Sequence, residues 1–375
     1  MFLVFLVISA MLGMAGTWWL SGDLYPAAHV HLVFALGVMP MIMAAMIHFV
    51  PVLTRTRAAE PRIMSVPALA WIGGALIAVF FVFGLPENLR SIAALLALTA
   101  SLGLGIWQIQ RSRAALGGAH PGVRWYLAAL FCLAISLLAV LAIPVWPEQY
   151  QSLKRLHLHL NLLGFVGLTA IGTLQVLLPT AAGRPDPKVT TRLRADLPFA
   201  LSGTLLIALG AAWFPLLCWP GLLLCLIPLA HLLRAWISNF RSDIFCPHGA
   251  APLLAVALIG FVMALIAGAA HGTGWINSTG AAHLFVFTFL FPVVSGAAGQ
   301  LLPLWLKPGR QTEWHAQARH RLTFASGVRA LLFLLSGALA AAGYSWAGYL
   351  ALAAILAFVL SVISLLGSHI VMNKT

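Results

Sequence analysis

Residues 31–51 read HLVFALGVMPMIMAAMIHFVP, residues 159–179 read HLNLLGFVGLTAIGTLQVLLP, and residues 283–303 read HLFVFTFLFPVVSGAAGQLLP. The three stretches align without a gap from a His-Leu pair to a proline: His31-Leu32 to Pro51, His159-Leu160 to Pro179 and His283-Leu284 to Pro303. The histidine-to-proline offset is twenty residues each time, which at a helical rise of about 1.5 Å per residue is about 30 Å, one hydrocarbon thickness. At offset thirteen all three carry a small residue, Ala44, Gly172 and Gly296, as helices that pack closely in a bilayer prefer. At offset nine, Pro40 and Pro292 match while Leu168 departs. This is an internal repeat whose unit is a membrane-spanning helix.

The rest of the chain agrees. Of 375 residues 62% are hydrophobic and 8% charged, with a mean hydropathy of +0.99; a soluble domain carries about a quarter charged residues. Apolar spans are expected near 1–20, 29–52, 64–85, 91–110, 125–146, 155–179, 195–214, 216–237, 250–271, 281–306, 322–342 and 347–371. The repeated histidines are 128 and 124 positions apart, four spans each time. The expected fold is therefore an all-α polytopic membrane protein of 12 transmembrane helices in three pseudo-symmetric four-helix units. It forms a single membrane domain over 1–375, with repeat units of approximately 1–120, 121–245 and 246–375, closing a ring about a pseudo-threefold axis.

The 21 Lys and Arg against 8 Asp and Glu are a topology signal and do not point to nucleic acid. Sorted alternately, one side of the membrane receives Arg90, Lys154 and Arg155, and the other the remaining eighteen. That asymmetry puts both termini in the cytoplasm of a bacterial-type inner membrane, with anionic lipid as the partner the charge suggests. The first span lacks a basic flank and a small-residue cleavage site, so it reads as a retained helix. Cys132, Cys218, Cys225 and Cys246 form no disulfide pattern.

Among 13 histidines, His29, His31, His157, His159, His271 and His283 fall at the outer ends of spans. Neutral imidazole is the commonest metal ligand and an axial ligand of haem iron. His29-Val30-His31 and His157-Leu158-His159 are His-x-His pairs at equivalent places. Two helical residues at i and i+2 point about 200° apart, so from a regular helix each pair serves two sites and does not chelate one ion, unless it sits half on the entering loop, where that constraint relaxes. Asn161 and nearby carbonyls are candidates to orient a ligating ring. His48, His231 and His369 fall toward inner ends as interfacial residues, and His120, His248, His315 and His320 sit in basic loops as solvated ones. Met39, Met43 and Met46 share one face, which reads as apolar filler before it reads as a copper path. The nearest carboxylate to a span interior is Asp196.

Twelve spans in three arcs, with histidines opening spans 2, 6 and 10, resemble subunit I of the haem-copper oxidases. The resemblance implies His31 (or His29) and His283 as axial ligands of one haem, b-type, and His157 or His159 on copper. The chain departs from the oxygen-reducing members in lacking histidine over 195–214 and in reading Ala281-Ala282-His283 on span 10. The His29-x-His31 pair, followed by Gly37, is also similar to the NnrS family, twelve-span relatives described as binding haem and copper and linked to nitric oxide stress. Leu32 stands where that pattern has an acidic residue.

The expectation is thus a haem-binding, haem-copper or related redox or nitric-oxide-response protein. A quinol or redox protein would donate electrons, and His29, His31, His157, His159, His271 and His283 form the ligand pool. The competing class is a copper or other metal transporter, in which the methionine face passes the ion inward; spans 6 and 10 contain no methionine. An organic-solute carrier is the third, weakened by the absence of a recognised charge within the spans.

Overall fold

The computed structural model describes residues 26–372, which are helical with no strand among them. Eleven helices in this range are long and apolar enough to cross a membrane. In chain order they are α1 (Ala27–Thr54), α2 (Pro61–Phe83), α3 (Asn88–Arg113), α4 (Gly122–Ala142), α5 (Pro147–Ala181) and α6 (Val189–Ala212). They continue with α7 (Pro215–Ile244), α8 (Ala251–Gly272), α9 (Ser278–Leu306), α10 (Glu313–Ala341) and α11 (Ser345–Ser368). The expected span over 1–20 lies outside the described residues. The histidine-to-proline stretches fall on α1, α5 and α9.

Two helices start earlier than their apolar runs. In α5 the helix takes in Lys154 and Arg155, because Tyr150–His159 is already α-helical. In α10 a charged segment, Glu313–Leu322, precedes the apolar Ser326–Ala341. That charged segment is held by a capping box in which the Thr312 amide donates to His315 Nδ1 at 3.0 Å.

By their packing the described residues fall into two compact units. One takes the described part of Leu12–Thr173 with Pro187–Pro228, the other Leu174–Asp186 with the described part of Leu229–Thr375.

Periodicity alone predicts regular α-helix through all three repeated stretches. Instead each contains a π-helical segment starting just past its histidine: Leu32–Val38 in α1, Leu160–Leu168 in α5 and Phe285–Leu290 in α9. The Met39 amide, for instance, donates five residues back to the Phe34 carbonyl. Prolines explain two of the three. Pro40 and Pro292 have no N–H and crowd the carbonyl four residues earlier, so the α-ladder cannot continue through them. In α5, where Leu168 stands at that place, hydroxyls enter the ladder: Thr169 Oγ1 donates to the Phe165 carbonyl at 2.6 Å and Thr173 Oγ1 to the Thr169 carbonyl at 2.7 Å.

A π segment widens the helix and rotates the turns beyond it, and each is met by a close neighbour. In the first unit a Cβ on Gly74 of α2 would collide with the Ala35 carbonyl, while a Cβ on Gly164 would lie 2.9 Å from Cys132 Sγ of α4. In the second, a Cβ on Gly260 of α8 would collide with the Thr288 carbonyl, and one on Gly337 of α10 with the Thr288 methyl. The offset-thirteen residues do the same about two turns further on. A Cβ on Gly172 would stand 2.7 Å from Trp125 Cβ, and one on Gly296 would stand 3.0 Å from Leu253 Cβ, while Ala44 is fully buried. Backbones meet where side chains are absent, as dispersion-driven packing in lipid requires.

The proline ends also repeat. The carbonyls of Pro51, Pro179 and Pro303 accept N–H groups from Thr56 at 3.0 Å, Arg184 at 3.1 Å and Lys307 at 3.1 Å. Carbonyls left over at the helix end are thereby satisfied within the chain.

Candidate metal centre

In the first unit α1 and α5 bring His31 and His157 together. Their ring centres are 6.4 Å apart and their planes 12° from parallel. His31 closes the α-helical turn Pro26–His31, just before the π segment. Its Nδ1 is 2.7 Å from the Ala27 carbonyl, one turn back. A carbonyl only accepts, so Nδ1 carries the proton and Nε2 keeps its lone pair. On one side the ring rests on Phe81 of α2, with centres 4.6 Å apart and planes at 29°. Phe81 belongs to the apolar cluster of Ile77, Phe80 and Ala93 between α2 and α3, into which Ala35 of α1 also packs.

His157 is held by a longer-range network. Its Nδ1 lies 3.1 Å from the Ser136 carbonyl and 2.9 Å from Ser136 Oγ, both on α4. Asn161 Nδ2 donates to the His157 carbonyl at 2.9 Å and also to Ser136 Oγ. One assignment satisfies every member: Nδ1–H is donated to Ser136, the serine hydroxyl donates to the His157 carbonyl at 3.3 Å, and Asn161 feeds both oxygens. His157 therefore also presents a free Nε2 lone pair. The two rings are the tautomers that bind a metal through Nε2, each oriented by a carbonyl behind it.

The other expected ligands are placed differently. His29 lies on the same α-helical turn as His31, half-buried, and two residues of an α-helix point well apart. His159 donates Nδ1–H to the Arg155 carbonyl at 2.8 Å, and lies two residues from His157 with the same divergence. His271 and His283 belong to the second unit. There His271 is exposed with Nδ1 at 3.0 Å from the Ile276 carbonyl, and His283 stacks on Phe287 with ring centres 5.3 Å apart and planes 8° from parallel. Among the described residues no group of three or more His, Cys, Asp or Glu is close enough to hold one ion.

Met39, Met43 and Met46 are all buried, and Met46 Sδ accepts from Gln108 Nε2 at 3.5 Å. The solvated reading of the loop histidines holds for His320, which is exposed, and needs correction for the other three. His315 is fully buried, taking the Thr312 amide on Nδ1 and donating Nε2–H to the Lys307 carbonyl at 2.8 Å, so it locks the connection between α9 and α10. His248 accepts the Ala325 amide at 3.1 Å. His120 accepts the Gly122 amide at 3.2 Å, while its own amide donates to the Leu53 carbonyl at 2.8 Å. Burial, helped by Arg194 and Arg55 nearby, lowers its pKa from the ordinary histidine value. A short loop leaves more backbone groups needing partners than a sequence reading credits, and imidazole supplies them. The side chain of His369 lies outside the described residues.

Three polar residues within the spans carried no weight in the sequence reading. Ser136 is buried on α4 and holds His157; one serine in an apolar run gives no sign of its partner. Asp196 is fully buried within α6, not merely near its end. Arg329 is buried within α10, so the spans do contain charge. Both were visible as lone charges inside apolar stretches.

The chain matches no family model and none of the curated proteins.

Proposed function

We propose that this chain is a multi-pass membrane haem protein in which His31 and His157 would hold one haem, which would supply one-electron redox chemistry. The observation that carries the proposal is the close, near-parallel pair of rings, each with Nδ1 held by a carbonyl. Two imidazoles sharing one metal through facing nitrogens place their ring centres roughly 6.3 Å apart, from metal–nitrogen bonds of about 2.0–2.1 Å and a ring radius of about 1.1 Å. The separation of 6.4 Å and the 12° between planes fit that arrangement. A bare copper or zinc ion asks the protein for three or four ligands, whereas haem brings four of its own and asks for two. Two oriented imidazoles with free Nε2 are the donor set that suits it.

Bound haem would supply a reversible one-electron couple. The residues of the chain do the rest: the Ala27 and Ser136 carbonyls hold the Nδ1 protons and fix both rings, while Phe81 covers a face of His31. His31 and His157 would hold the group from both sides, an arrangement that suits electron transfer. This pairing differs from the His31–His283 pairing that the oxidase resemblance implies. A quinol or redox protein as electron donor, and an inner-membrane location with cytoplasmic termini, complete the proposal.

Absorption spectra of the detergent-purified protein, oxidised and dithionite-reduced, with iron and copper counted on the same sample, test it. A Soret band with sharp reduced bands, and iron lost in both His31→Ala and His157→Ala, is the expected result. No Soret band after expression with added haem overturns it. Copper without iron instead supports the transporter class.

A further inference from the structure

We propose that the start of the apolar part of α10 is a binding site for a phosphate-type oxyanion, with Arg329 and Ser326 as its donors. The segment Ser326–Ala341 follows a break at which Ala325 adopts a left-handed conformation, φ 50°. Ser326 and Arg329 are three residues apart on one face. Arg329 is 4% exposed and Ser326 fully buried.

The Arg329 side chain runs back past Ser326 toward the helix start, where Nη2 donates to the Leu322 carbonyl at 2.9 Å. The guanidinium lies over the Phe358 ring of α11, 5.4 Å from its centroid. Its Nε and Nη1, and Ser326 Oγ beside them, are buried without a hydrogen-bond partner. A guanidinium left this way is costly, because a buried cation needs an opposite charge and hydrogen-bond acceptors. No carboxylate pairs with it among the described residues.

The missing group has a definite chemistry. It must be anionic, to neutralise the guanidinium, and it must present more than one acceptor oxygen, to take the Nε and Nη1 edge together with the serine hydroxyl. The positive end of the helix dipole adds to the same attraction. A phosphate group meets these demands, whether it comes from the headgroup of an anionic lipid or from free phosphate. The charged segment just before the break carries Arg319 and Arg321, which would draw such an anion in.

Thermal unfolding of the full-length protein in neutral detergent tests the site, with three separate additions: phosphatidylglycerol, inorganic phosphate, and phosphatidylcholine as the zwitterionic control. The wild type should gain a concentration-dependent rise in Tm from phosphatidylglycerol or phosphate and none from phosphatidylcholine. A response to phosphatidylglycerol alone assigns the site to lipid; a response to inorganic phosphate as well assigns it to the free anion. Arg329→Gln should weaken the response roughly tenfold or more in the concentration required. Arg310→Gln, which removes an exposed charge of the same sign from the loop before α10, should leave it in place. Ser326→Ala provides a second test with the guanidinium intact, should Arg329→Gln fail to fold, and should also weaken the response. Equal responses in wild type and Ser326→Ala together with Arg329→Gln, or no response in the wild type, overturn the proposal.

Discussion

The imidazoles of His31 on α1 and His157 on α5 lie 12° from parallel with their ring centres 6.4 Å apart, each with Nδ1 turned back to a carbonyl behind it. Neither ring is free to choose this pose. His31 is set by its own helix through Ala27, and His157 by α4 through Ser136. Rings fixed in this way keep one tautomer and one orientation, which is what lowers the cost of assembling a centre.

The first prediction separates the observed pair from the pair that the oxidase resemblance implies. His157→Ala should abolish the haem spectrum as completely as His31→Ala, whereas His159→Ala and His271→Ala should leave it intact. His283→Ala is the discriminating variant. A spectrum that survives His157→Ala but is lost in His283→Ala would show that the ligand set is the oxidase one.

Ser136→Ala should loosen the His157 ring without removing a ligand. Loss of such a supporting bond typically weakens metal affinity by about 10–100-fold, and the lost hydrogen bonds should cost about 1 kcal/mol of stability. Haem titration and a Tm on the same variant measure the two effects independently. A variant with an unshifted affinity would mean that Ser136 only packs.

Helix contact at the π segments can be tested on α8, where one glycine is crowded and another is free. Gly260→Ala forces a methyl against the Thr288 backbone, which cannot move aside as a flexible side chain does. A loss of about 1–3 kcal/mol or more is expected from such overpacking. Gly268→Ala, exposed and with nothing within 4 Å of the added Cβ, should instead be neutral or stabilising by up to about 1 kcal/mol. Detergent melts should therefore show a lowered Tm for Gly260→Ala and an unchanged or raised one for Gly268→Ala.

His120 should make stability fall in mild acid. Its pKa in the folded protein is below the ordinary value of 6.5, first through burial and then through Arg194 and Arg55. The unfolded chain therefore takes up this proton more readily than the folded one, and stability rises with pH across the interval between the two values. The contribution is present above pH 6.5 and fades as the pH falls through the lowered folded value. Protonating the ring also ends its role as acceptor for the Gly122 amide. His120→Gln, compared with wild type at pH 7.5 and pH 5.5, should show a smaller drop in Tm on acidification. An equal drop would assign the acid sensitivity to other groups.

Much of the fold was legible because its signals are periodic. Twenty residues from His31 to Pro51, from His159 to Pro179 and from His283 to Pro303 marked three equivalent helices, and small residues at Ala44, Gly172 and Gly296 marked where they are approached. Pro40 and Pro292 were visible as a repeated feature, yet the π segments before them were not, since an apolar run looks the same at either pitch. Leu168 shows why the proline was an incomplete guide. In α5 the same distortion accompanies threonine hydroxyls that bond back into the ladder. His315 was misread as solvated because its two partners, the Thr312 amide and the Lys307 carbonyl, are backbone groups with no sequence signature.

The sequence by itself determined which stretches form helices long and apolar enough to cross a membrane and which end of each repeated helix carries the histidine. Hydrocarbon allows no unpaired backbone, so length and apolarity leave the helix as the solution. Which imidazole meets which was left to the tertiary structure. A helix fixes the height of a side chain, but its direction depends on how the helix is rotated against its neighbours. Here that rotation follows from π segments and glycine contacts such as Gly74 on Ala35 and Gly164 on Cys132. The meeting of His31 and His157 joins helices distant in the chain, and the burial of Arg329 over Phe358 joins two consecutive ones.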